Sequence, residues 1–100
     1  MDKGDQKMNQ TKQLIEIGTC AAHAAETVTA GDNLMWNFGY VEHVLEVKPR
    51  GKTQLVIVGT SLGRFGNKPS NEIFERVIKR TTTVVKVAKL HSDWQILAGA

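Results

Sequence analysis

Few side chains in this chain stand at spacings that do chemistry. Cys20 and His23 lie one helical turn apart and could share a metal ion. Two ligands do not close a site, and no second pair exists, so a half-buried thiol and imidazole is the expected reading. His91, Ser92 and Asp93 are adjacent, but a proton relay needs groups that converge from separate elements. Ser92 or Asp93 is better suited to capping. The glycine-rich stretch GTSLGRFGNKPS at 59–70 invites a phosphate-loop reading. The spacing fails: Gly63 is followed by Arg64 and Phe65, and Lys68 by Pro69, where a lysine and a hydroxyl residue should follow the glycine. Glu72 and Glu75 are expected to be solvated or paired with Arg76 and Lys79. No catalytic constellation emerges, so the chain is expected not to be an enzyme, with no cofactor, no metal and no small-molecule substrate.

Charge is the stronger signal. Residues 1–47 carry three lysines against seven carboxylates, a net −4. Residues 48–89 carry ten lysines and arginines against two glutamates, a net +8. Asp93 brings the total to +3, so a weakly basic sum hides a strongly basic second half. Such a split is the footprint of a polyanion-binding surface. Its plain alternative is a solvated charged face.

The elements that must position these charges read as follows. With 100 residues the chain fits one small domain. Residues 1–8 read as a short flexible tail and 9–100 as the domain. The polar start is unlike a secretory signal, no apolar run approaches membrane-spanning length, and the single Cys20 allows no internal disulfide. A reducing interior is the expected setting. Leu14, Ile17, Ala21, Ala24 or Ala25, and Val28 are spaced for a first helix, capped by Asn9 or Thr11. AGDN breaks the chain, and Asp32 or Asn33 could cap a second helix over 34–48 carrying Leu34, Phe38, Val41 and Leu45 on one stripe. A strand over YVEHVLEV competes with it, because valine favours sheet. Pro49 ends that element and PRGK turns. QLVIV at 54–58 predicts a strand. NEIFERVIKR fits either a helix capped by Ser70 or an extended segment, and TTTVVKV predicts a strand. LHSDWQILA at 90–98 fits a short final helix.

In this order, several strings resemble the HU and integration-host-factor family of small dimeric DNA-bending proteins. They are MNQTKQLIE at 8–16, RGKTQLVIVGT at 50–60, GNKPSNEI at 66–73 and VVKVAKLHSDW at 84–94. Ser61 stands where that family has an aromatic, Lys68 where it has asparagine, and the arm is a few residues short. The resemblance implies an α+β fold with two N-terminal helices, a small antiparallel sheet with an extended β arm, and a short C-terminal helix, in an intertwined homodimer. It also implies double-stranded DNA as partner, bound with little sequence preference and bent or compacted, in the cytoplasm at a nucleoid or for a virus. Pro69 would match the wedge that enters between base steps, a device known for architectural proteins. Arg64, Lys68, Arg76, Lys79 and Arg80 would line the arm, with Lys52, Lys86 and Lys89 nearer the saddle. The competing expectation is a small α+β adaptor or inhibitor whose basic face docks on an acidic protein or RNA.

Overall fold

The computed structural model describes residues 10–90 and 93–97. Among them the chain is nearly all β. Its strands are β1 (Thr11–Leu14), β2 (Gly18–Ala21), β3 (His23–Ala24), β4 (Asn33–Met35), β5 (Tyr40–Arg50), β6 (Gln54–Arg64), β7 (Ile73–Lys79), β8 (Thr83–Leu90) and β9 (Asp93–Ile96). Single 3₁₀ turns occupy Ala25–Thr27 and Asn37–Gly39. β1 and β2 form a separate hairpin. The other strands make one antiparallel sheet in the order β3-β8-β4-β5-β6-β7, with β9 added along β8.

Both faces of this sheet bury apolar side chains. Along β6, Leu55 and Ile57 point to one face, as strand alternation requires. They share a cluster with Leu34, Val44, Val84, Ala25 and Val28. Val84 and Leu55 belong to strands separated by β4 and β5, so their place in one cluster means that the sheet curls around a shared core. Two irregularities in β5, between Val41 and Glu42 and between Val44 and Glu46, supply bends of the kind that bulges give a strand. On the outer face Leu14 and Cys20 of the β1–β2 hairpin cover Met35, Val41, Val85 and Val87. Each fully buried aliphatic side chain contributes roughly 1.5–3 kcal/mol, so both clusters matter to a domain this small.

This is not the α+β architecture expected. The described residues contain no α-helix, and each predicted helix fails for a local reason. Over 11–28 the alanines of the supposed helical face bury little area. Instead the chain turns at Ile15–Ile17 with Glu16 at φ 69° and Gly18 at φ 110°, and Leu14 pairs with Gly18. Over 34–48, Phe38 at φ 67° and Gly39 at φ 85° leave helical space altogether. The valines that follow form β5, the competing reading. NEIFERVIKR is extended, with β7 over Ile73–Lys79, QLVIV lies in β6 as expected, and TTTVVKV enters β8 at Thr83. The final segment forms β9 rather than a helix, while His91, Ser92 and the end from residue 98 lie outside the described residues, as does the tail 1–8. The expected arm is also absent as such. Pairing of β6 with β7 stops at Thr60 and Ile73, and the intervening loop folds back along β6. Lys68 N–H donates to the Leu62 carbonyl at 2.8 Å, and Ser70 N–H to Ser61 at 2.8 Å.

Candidate nucleic-acid interface

The expected binding residues do not share one surface. Arg64 is exposed and pairs with Glu16 at 3.1 Å. Lys68 and Pro69 are exposed on the folded-back loop, not at the tip of a ribbon. Arg76 is held by the buried Glu42. Lys86 is largely covered: its ammonium donates to the Thr27 carbonyl at 2.9 Å and pairs with Asp32 at 3.4 Å. Lys89 is exposed on β8, opposite Trp94 of β9. Only Lys52, Lys79 and Arg80 come together.

They meet where two turns lie side by side. The β5–β6 turn spans Gly51–Thr53 and the β7–β8 turn Arg80–Thr82. Arg50, Gln54 and Lys79 stand in one row across β5, β6 and β7. Arg80 ties the turns together: its N–H donates to Thr53 at 2.9 Å and its Nη2 to the Gly51 carbonyl at 3.4 Å. Gly51 makes the tight turn possible, with φ at +66° and open space around it. A hollow of about 480 Å³ is lined by Glu26, Lys52, Thr53, Lys79, Arg80 and Thr81. Arg80 Nε is buried there without a partner. None of Arg50, Lys52, Lys79 and Arg80 forms an ion pair among the described residues. Arg50 was not expected in the set, although its place two residues before Lys52 in PRGK put it in reach. β6 separates this basic end from the Arg64–Pro69 loop by its own length, about 33 Å along the strand.

A second site, unannounced by charge, lies at the open end of the curled sheet. Glu42 is 2% exposed on the inner face. Its Oε1 accepts from Trp36 Nε1 at 2.8 Å and from Arg76 Nε at 3.3 Å. Its Oε2 has no partner among the described residues. Burial pushes the Glu42 carboxyl up, against the opposing pull of Arg76 and Trp36. Gly59 makes room for it, since a Cβ there would lie 2.9 Å from Oε2 and 2.7 Å from the His43 carbonyl. The Arg76 guanidinium stacks 4.4 Å from the Trp36 ring centroid and 5.7 Å from that of Phe74. With Tyr40 and Ser61 these residues line a cleft of about 550 Å³. The signal that could have found it is an acid, Glu42, inside the valine-rich β5, where a charge has no reason to be unless it is held.

The Cys20 thiol points from the hairpin into the outer cluster, where burial pushes its pKa up, and His23 Nε2 lies 3.3 Å from the Leu97 carbonyl. No group of three or more metal-binding side chains occurs among the described residues. No helix among them is long and apolar enough to cross a membrane. No protein-family model matches the chain, and no curated protein or solved structure does either.

Proposed function

We propose that the chain is a nucleic-acid-binding module that grips phosphates with its basic end. The observation that carries this reading is the meeting of Arg50, Lys52, Lys79 and Arg80 on two linked turns, without ion-pair partners among the described residues. Cations left unpaired keep their field for a partner, and each phosphate they neutralise releases a counterion. Threonine hydroxyls on the two turns add neutral donors of the kind that fix a backbone in place. The reading needs no proline wedge, so DNA bending is not part of it.

A salt titration tests it. Four phosphate contacts give a slope of log affinity against log salt of about −3 to −4. Salt-insensitive binding, or no binding to duplex or single strand at low salt, overturns the reading. Equal binding to polyglutamate would move the same surface to an acidic protein partner.

A further inference from the structure

The cleft at the open end offers what a flat, unpaired base requires. Three aromatic side chains, Trp36, Tyr40 and Phe74, wall a space of about 550 Å³, within the size range of small-ligand sites. Arg76 enters between two of these rings, and its Nε is engaged by Glu42. Among the described residues neither Nη atom has a hydrogen-bond partner. An arginine fixed by stacking and at Nε presents its remaining N–H groups as a rigid fork. The Asn37 side-chain oxygen is taken by the Ile15 N–H at 2.9 Å, which leaves its amide N–H groups free to donate.

Charge decides what the fork receives. Glu42 offsets the arginine's charge at 3.3 Å, so a phosphate gains little here that the basic end does not offer better. A neutral ring with two adjacent acceptors gains both stacking and paired hydrogen bonds. Guanine presents that pair as O6 and N7, whereas adenine sets a donor beside N7 and pyrimidines lack N7. Distance also fits. Arg76 and Arg80 are four residues apart, about 13 Å along an extended chain, so a single strand could lay its backbone on the basic end and one base in the cleft.

We propose that this cleft takes one unpaired guanine of a single-stranded nucleic acid, with Arg76 reading its O6 and N7 edge and Tyr40 and Phe74 stacking on its rings. The proposal rests on the nucleic-acid reading above and sharpens it. Glu42 and Trp36 act as positioning residues that hold the fork in place.

The test is fluorescence anisotropy with labelled heptamers, in deoxy and ribo forms. One is all thymine (uracil in the ribo form), one carries a single central guanine, and one carries 7-deazaguanine at that position. The guanine heptamer is expected to bind about tenfold more tightly than the all-pyrimidine one, and the deaza analogue to lose that preference. Arg76→Lys keeps the charge beside Glu42, and Tyr40→Ala removes a half-exposed ring. Both are expected to abolish the preference, so that within each variant the guanine and all-pyrimidine heptamers bind with equal affinity. Equal, salt-dependent binding of all three heptamers overturns the guanine site and leaves the phosphate-gripping end standing. A guanine preference that survives 7-deazaguanine overturns it too, and that arm needs no variant to fold. Absence of binding to any strand, single or double, removes both proposals at once.

Discussion

Arg76 and Arg80 stand four residues apart on one stretch of chain, yet their surroundings are opposite. Arg76 is clasped by a buried carboxylate and two rings, so its charge is offset and its direction fixed. Among the described residues the Arg80 side chain bonds only the Gly51 carbonyl, in the company of Arg50, Lys52 and Lys79. The first site is built for orientation and the second for field. A count of charges along the chain cannot tell them apart, because the partner of each charge decides its use.

Glycine exchange should separate the two sites most strongly. In Gly59→Ala the new methyl meets the His43 backbone, which cannot move aside cheaply, and the Glu42 carboxylate. A loss of about 2–3 kcal/mol is expected in urea unfolding. Gly51→Ala meets nothing within 4 Å and bears only the strain of φ +66°, about 1 kcal/mol. Equal losses would break the contrast between a packed cleft and an open end.

The double variant Lys52→Gln/Lys79→Gln probes the field. Nucleic-acid affinity should fall about tenfold at moderate salt and the salt slope flatten by about 1.5, with the unfolding midpoint almost unmoved. A large stability loss with unchanged affinity would show these lysines to be structural.

Glu42→Gln sharpens the other side. Because burial raises the Glu42 pKa, the native state holds that proton more tightly than the unfolded chain. Stability from this group is therefore greatest at low pH. It falls as pH rises from the ordinary carboxyl range through the raised native value, then levels off. The difference in urea midpoint between wild type and Glu42→Gln should shift across that window and be flat above it. No shift would mean that Arg76 fully offsets burial. The smallest effect is expected from Pro69→Ala, under about 0.5 kcal/mol in stability and none on affinity, because the exposed ring belongs to neither site.

Legibility in the sequence followed local regularity. QLVIV and TTTVVKV read as strands because β-branched runs leave little alternative, and the basic second half was plain. The helix expected over 34–48 rested on Leu34, Phe38, Val41 and Leu45, but these share no face: Leu34 lies in the inner cluster, Val41 in the outer one, and Phe38 and Leu45 are exposed. The first helix was expected from Leu14, Ile17, Ala21, Ala24 or Ala25, and Val28, but a turn puts Leu14 and Ile17 on the outer cluster while Ala25 and Val28 lie in the inner one. Lys52, Lys79 and Arg80 were expected on one basic surface with Arg64, Lys68 and Pro69, and their separation from those three depends on strand register. Of the cleft the sequence held only the hint of Glu42 among the valines of β5, since Trp36, Glu42 and Phe74 meet only once the sheet curls.

The two tryptophans divide along the same line. Trp36 stacks on a guanidinium and donates to a buried carboxylate, while Trp94 packs beside Gly66 on the outer cluster. Each face of the sheet thus carries its own intrinsic fluorophore. With Trp94→Phe the remaining emission reports the cleft, and with Trp36→Phe it reports the hairpin-covered side, so the order in which the two faces melt can be read optically without a label.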